Sequence, residues 1–215
     1  MAVAVGVALF AAACGGSQGR RIPAPALDDA LAAGAAPRSI VLAGGCFWGV
    51  QEVYEHTRGV LSATSGYAGG AADTAHYDEV SSGATGHAES VRVVYDPGQL
   101  TLGQILQVFF SVVANPTEWN RQGPDVGSQY RTVIFYANSD QARIARAYIS
   151  QLDAAHAYPR AIVTELTPLT PARAFYTAEA YHQDYARLHP NSSYIRVYDL
   201  PKLTELKTLW PALSR

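Results

Sequence analysis

Short β-branched runs alternate with segments of helical period along this chain, and that alternation narrows the available folds more than any other feature. Ser39-Ile40-Val41-Leu42-Ala43 is an apolar run stopped by Gly44-Gly45, as a buried strand stops at a turn. Phe47 to Thr57 reads as a helix closed near Gly59. Val60 to Gly69 reads as extended, Gly70 to Gly86 as a loop, and Ala88 to Tyr95 as a strand ended by Asp96-Pro97. Thr101 can cap a helix in which Leu102, Ile105, Leu106, Phe109, Phe110 and Val113 recur at helical spacing. Tyr130 to Ala137 reads as a strand, and Ser139 caps a helix with Ile144, Tyr148 and Leu152 on one face. Ala161 to Leu166 reads as a last strand, followed by a short helix near Thr177 to Leu188. The order predicts an α+β fold: a two-layer α/β sandwich on a ferredoxin-like split β-α-β core. Helices cover one face of a mixed sheet, and a turn-rich coil from His189 wraps the surface. A fold of this kind assigns no function.

Composition removes several function classes. Hydrophobic residues make 48% of the 215 residues and charged residues 16%, so disorder over most of the chain is excluded. A net charge of -2 gives no general pull toward nucleic acid or an anionic membrane. Two cysteines cannot build a disulfide scaffold or a Cys-rich zinc site, and the six histidines show no metal-ligand spacing. Neither a Walker-type phosphate loop nor a G-x-G-x-x-G turn is present.

The amino terminus reads as an address. Ala2 to Ala13 is uncharged and apolar, too short to span a bilayer, and fits the h-region of an export signal. The small residues before Cys14 resemble the bacterial lipoprotein signal, in which Cys14 is lipidated. That signal usually has Leu where Ala11 stands, and no Lys or Arg precedes the run. A plain cleaved signal and a misassigned start are the other readings. Residues 14–37 are rich in Ala, Gly and Pro and read as a flexible tether. The expected organisation is therefore a signal over 1–13, a tether over 14–37 and one catalytic domain over 38–215.

Cys46 follows Gly44-Gly45 at a strand-helix junction. Free N–H groups and the positive end of a helix favour a thiolate there, so its pKa is expected to be lowered. A lone cysteine is also commonly a small buried hydrophobe. Alternation puts Glu89 on one face with Val91, Val93 and Tyr95. On that apolar face desolvation would raise its pKa and make it a proton donor near neutral pH; beyond the strand's edge it would be solvated. Asn115 to Arg131 is a polar loop between a helix and a strand, a common place for function. Tyr130 at its end, Tyr67 in Gly66-Tyr67-Ala68-Gly69-Gly70 and His182 in Tyr181-His182-Gln183-Asp184-Tyr185 are further candidates, each also explicable by packing.

At these residues the sequence resembles the peptide methionine sulfoxide reductase A family. The pieces that carry the resemblance are Gly45-Cys46-Phe47-Trp48-Gly49, Gly66-Tyr67-Ala68-Gly69-Gly70, Gly86-His87-Ala88-Glu89, Val94-Tyr95-Asp96-Pro97, Asn115-Pro116-Thr117, Arg121 to Arg131, and Tyr181-His182-Gln183-Asp184-Tyr185. They occur in the family's order over about Ser39 to Tyr198. The resemblance implies a mixed α/β fold and reduction of the S epimer of methionine sulfoxide, free or in proteins. It implies that Cys46 is the nucleophile and that Phe47 and Trp48 form the pocket for the S-methyl group. Glu89 would protonate the sulfoxide oxygen, Tyr67 and Tyr130 would hydrogen-bond it, and Asp125 would orient site and substrate. Cys46 would be left as sulfenic acid.

The chain departs from many relatives in one respect. Tyr194-Ile195 stands where a resolving cysteine is expected, and no cysteine follows Cys46. The expectation is then an enzyme with no bound cofactor, reduced by an external thiol, either a thioredoxin-like protein or a small thiol. Its partners would be oxidised proteins and peptides, with no nucleic acid and a membrane contact only through the lipid. It would be a monomer on the extracytoplasmic side of a bacterial envelope. Ala114 also replaces an expected His before Asn115-Pro116, a change that carries little. The competing readings are a cysteine hydrolase or peroxidase using Cys46 with His182 or Glu89, and a non-catalytic peptide-binding module.

Overall fold

The structure, a computed structural model, describes residues 19–215. In chain order the elements are β1 (Arg38–Gly44), α1 (Phe47–Glu55), β2 (Val60–Ala68), α2 (Tyr77–Val80), β3 (Ala88–Tyr95) and α3 (Leu102–Val108). They continue with a hairpin of β4 (Arg121–Gln122) and β5 (Asp125–Val126), then β6 (Thr132–Tyr136), α4 (Ser139–Ala154), β7 (Glu165–Pro168), β8 (Phe175–Thr177), α5 (Tyr185–Leu188) and α6 (Leu200–Leu209).

Six strands form one mixed sheet in the order β7-β6-β1-β3-β2-β8. The inner four, β6-β1-β3-β2, are antiparallel, the order of a split β-α-β core. At the edges β7 runs parallel to β6 and β8 antiparallel to β2. Alternation along the strands divides the apolar residues between two faces. Ile40, Leu42, Val91, Val93 and Ile134 join Val50, Val53 and Tyr54 of α1 and Ile144, Tyr148 and Leu152 of α4 in the main core. Val41, Ala43, Val133 and Phe135 form a smaller cluster with Ala68 and Ala88 on the other face. Each large side chain so buried contributes about 1.5–3 kcal/mol.

Thr101 caps α3 as its sequence suggests, in a full capping box with Gln104. The helix then widens into a π turn over Phe109–Val113, which keeps Phe109, Phe110, Val112 and Val113 buried. Several boundaries differ from the sequence reading. The cap of α4 is Asn138, whose side chain accepts from the Gln141 N–H, so Ser139 is the first helical residue. Residues 70–86 contain a 3-10 turn, Ala72–Thr74, and the short α2. The strand read as 161–166 is Glu165–Pro168, and it is not the last, because β8 follows it with only three residues, too few to show a period. His189 to Ser192 turn as expected, but from Ser193 the chain is helical where coil was expected: a π turn over Ile195–Asp199 runs into α6, with Pro201 in its first turn and Leu206 buried.

The part of the expected tether that lies within the described residues, 19–37, is laid along the domain. Ile22 is buried in the main core. Tyr148 OH donates to the Pro23 carbonyl at 2.7 Å, and Gln151 bonds both Ala24 and Ala26. Asp28 takes the Gly103 N–H at 2.7 Å, reinforcing the start of α3. Ala, Gly and Pro content suggests flexibility, but a single apolar anchor and carbonyls met by side-chain donors fix the backbone. The apolar run Ala2 to Ala13 and Cys14 lie outside the described residues.

Candidate active site

The junction of β1 and α1 builds the site. Gly45 turns the chain at φ +91°, where a side chain would meet Gln122. Cys46 follows as the N-cap of α1 and Phe47 as its first helical residue. The first turn of a helix leaves N–H groups without partners. The one on Phe47 is taken by a side chain from the sheet: it donates to Glu89 Oε2 at 3.0 Å. Glu89 is 3% exposed and lies on the buried face with Val91, Val93 and Tyr95. Burial pushes its pKa up to about 8; the Phe47 N–H opposes this, while Asp125 and Asp199 add to it.

Cys46 stands partly accessible in a narrow cleft lined by Gln122, Asp125, Tyr194, Tyr198 and Lys202. Its thiol differs from the sequence expectation. Burial, then Glu89 and Asp199, push its pKa well above the usual value, with Asp125 adding to them, and the Trp48 backbone N–H alone opposes. The helix end is favourable to a thiolate, but burial first, and then the carboxylates brought in by the fold, outweigh it. At neutral pH the site therefore stores two protons, one on sulfur and one on Glu89.

Sheet register sets the next residue. Tyr67 of β2 pairs directly with Glu89 of β3, so the two side chains share a face. Tyr67 is fully buried, and its hydroxyl donates to Glu179 Oε2 at 2.8 Å. Burial and Glu179 raise its pKa far above the usual value. Tyr130 ends the 3-10 turn Ser128–Tyr130 before β6. Arg131 ties that turn to the start of β3 through the carbonyls of Ser128, Gly86 and His87. Burial, then Glu89, Asp125 and Cys46 raise the Tyr130 pKa, which places its hydroxyl among those groups.

Asp125 comes from the β4-β5 hairpin. Gln122 anchors that hairpin by donating to the Asn115 carbonyl at 2.8 Å and accepting from its N–H at 2.9 Å. Burial raises the Asp125 pKa, and the Tyr194 hydroxyl, which donates to Oδ2, opposes the rise. Phe47 is 1% exposed and packs on Tyr67 and His182. Trp48 stacks on Tyr185 at 3.8 Å between centroids and meets Tyr194 edge-on. These rings make the apolar side of the site.

Cys46, Phe47, Trp48, Tyr67, Glu89, Asp125 and Tyr130 thus converge from distant parts of the chain. His182 does not serve the thiol. Its Nδ1 accepts from Trp48 Nε1 at 3.2 Å, and its Nε2 faces Glu179 at 3.9 Å. Sequence reasoning missed Glu179, Tyr194 as a partner of Asp125, and the Asp199–Lys202 pair. The available signals were an acid three residues before His182 and an i,i+3 pair flanking Pro201. A larger, shallow depression of about 730 Å³ lies elsewhere, between Tyr136 and the exposed face of α4, lined by Arg143 and Arg146 but by no cysteine, histidine or carboxylate. Among the described residues no group of three or more His, Cys, Asp or Glu could hold a metal ion.

The arrangement offers a nucleophilic sulfur, a buried neutral acid one residue away, two hydroxyls and an apolar wall. It suits attack on a polar S=O group carried by an apolar side chain. A family model described as peptide methionine sulfoxide reductase matches residues 38–212. The chain is 52% identical over 187 residues to the protein named Peptide methionine sulfoxide reductase MsrA 2 of Mesorhizobium japonicum, covering 87% of this chain and 93% of that one. Its structure is similar to methionine sulfoxide reductase A of Corynebacterium diphtheriae, with TM-score 0.61 and 33% identity over 80% of this chain and 87% of that one. It is also similar to Mxr1 from Saccharomyces cerevisiae in reduced form, with TM-score 0.65 and 29% identity over 80% and 96%.

Proposed function

The chain belongs to the peptide methionine sulfoxide reductase family, and from that premise we propose how its residues reduce the S epimer of methionine sulfoxide to methionine. The observation that carries the reading is the Glu89 carboxyl held at 3.0 Å from the Phe47 N–H, beside Cys46. A sulfoxide oxygen leaves sulfur only once protonated, so the reaction needs an acid beside the thiol. Glu89 gives its proton to that oxygen while the Cys46 sulfur attacks, and the thiol's proton restores Glu89. That attack joins the Cys46 sulfur to the substrate sulfur; the protonated oxygen then passes to the Cys46 sulfur as the new S–S bond and the substrate S–O bond break and methionine departs. Cys46 retains the oxygen as sulfenic acid, so the substrate sulfur gains two electrons and Cys46 loses two. Tyr130 holds the oxygen by a hydrogen bond, and Tyr67 joins it by turning its hydroxyl away from Glu179. Phe47 and Trp48 receive the S-methyl group, and Asp125, fixed by Tyr194, orients the substrate.

Regeneration uses thiols from outside the chain. Ile195 is buried where a resolving cysteine would stand, and Cys46 is the free cysteine among the described residues. One external thiol displaces water from the sulfenic acid to give a mixed disulfide, and a second releases Cys46 as thiol. A thioredoxin-like dithiol or two small thiols satisfy the balance.

The apolar run before Cys14 supports an exported, lipid-anchored enzyme that repairs oxidised proteins on the extracytoplasmic side. Labelled palmitate should enter the full chain and be lost in Cys14→Ser; labelling that survives the change overturns the anchor. The reaction itself is tested with a peptide carrying both sulfoxide epimers and an excess of dithiol. Half of the sulfoxide, all of it the S epimer, should be consumed. Consumption of both epimers or of neither overturns the reading.

A further inference from the structure

Asp199 ends the π turn Ile195–Asp199, is 1% exposed, and is not used by the reaction set out above. Its Oδ1 receives Lys202 Nζ at 3.3 Å, and its buried Oδ2 has no hydrogen-bond partner. A carboxylate held this way is costly unless its charge is used. The pair sits in a notch that only glycine leaves. A Cβ on Gly49 would lie 2.0 Å from Asp199 Oδ1 and 2.9 Å from Lys202 Nζ. Gly49 belongs to the first turn of α1, the turn that starts at Cys46 and gives the Phe47 N–H to Glu89. Lys202 also lines the Cys46 cleft.

We propose that Asp199, docked with Lys202 in the Gly49 notch, is a positioning residue of the reductase reaction: its charge keeps the proton on Glu89 until a sulfoxide oxygen arrives to take it. The inference rests on the reductase reading above. The titratable groups that feel the charge of Glu89, or whose charge it feels, are Cys46 at the start of α1, Tyr67 from β2, Tyr77 from α2, Asp125 from the hairpin, Tyr130 from the turn before β6, and Asp199 from the carboxyl-terminal turn. Asp125 and Asp199 are the carboxylates of that set, and Lys202 is the cation beside both. Tyr194 already donates to Asp125, whereas Asp199 has Lys202 on Oδ1 and no donor on Oδ2.

The test is the pH profile of kcat in the full chain. Glu89 works protonated, so the alkaline limb reports the pH at which it loses its proton. Asp199→Asn keeps shape and removes the negative charge, and the limb should move to lower pH by on the order of half a unit or more. Lys202→Met removes the opposing positive charge, and the limb should move to higher pH. Iodoacetamide alkylation located at Cys46 reads the same field without turnover, and its midpoint should move in the same two directions. Limbs that stay in place in both folded variants, or that move the same way, overturn the proposal and leave Asp199 a packing residue. If the parent chain reduces no sulfoxide at any pH, the reductase reading fails instead, and the alkylation midpoints alone show whether the pair acts on this turn.

Discussion

Glu89 Oε2 accepts the Phe47 N–H at 3.0 Å, so the buried acid is fastened to the residue that follows the nucleophile. Helix start, sheet strand and thiol are thereby one rigid unit. That bond sets the acid beside the residue that carries the sulfur, the kind of preorganisation that proton transfer in a transition state requires.

Replacing Glu89 with Gln should leave that hydrogen bond in place, through the amide oxygen, and remove only the proton. Turnover should fall by about 100-fold or more, with little change in KM, because the proton is needed chiefly in the transition state. In the parent chain kcat should decline as pH rises through about 8, where Glu89 loses its proton. Steady-state kinetics from pH 6 to 10 check both. Unchanged turnover in Glu89→Gln would remove the acid from the mechanism.

The same substitution should change stability in a pH-dependent way. Burial raises the Glu89 pKa from the reference value 4.5 to about 8. The folded state therefore holds this proton more tightly than the unfolded one. Its contribution is complete below about 4.5 and is lost progressively as pH rises through about 8. Glu89→Gln carries no such loss. It should match the parent near pH 4 and exceed it at pH 9 by on the order of 2–4 kcal/mol, read by urea denaturation at the two pH values.

His182 should act through Trp48. Its Nδ1 must be unprotonated to accept the indole N–H, and burial lowers its pKa, which keeps it so. His182→Leu fills the space but offers no acceptor. It should cost about 1 kcal/mol of stability and raise KM several-fold, with kcat less affected, because the ring that receives the methyl group loses its fixed orientation. Denaturation midpoints and Michaelis constants measure the two effects.

The amino-terminal arm should be part of the folding unit. Ile22→Ala removes a side chain that is 4% exposed in the main core, and should cost about 2–4 kcal/mol. A loss below about half a kcal/mol in a thermal or urea melt would return residues 19–37 to the role of a tether.

Much of this was legible in the chain. The period of two along Ala88 to Tyr95 placed Glu89 on the apolar face, and Gly44-Gly45 placed Cys46 at the helix start. The order of strand-like and helix-like runs sufficed for the four inner strands. What was hidden depends on contacts distant in sequence. The helix end alone argued for a lowered Cys46 pKa, because nothing local reveals that Glu89, Asp199 and Asp125 will surround it. Asp199 and Lys202 are an i,i+3 pair in the tail, with nothing local to single them out. Their meaning lies in Gly49, some 150 residues earlier, whose missing side chain receives them. Ile22 shares a stretch of Ala, Gly and Pro with Leu27 and Leu31, both exposed, and one buried anchor makes no period.

The most direct test of the central claim is a single turnover without reductant, using the Cys14→Ser chain and a methionine sulfoxide peptide. The account predicts one methionine formed per chain, and Cys46 heavier by one oxygen atom and trapped by dimedone. Methionine formed with Cys46 unmodified, or no methionine formed while Cys46 remains an alkylatable thiol, would contradict it.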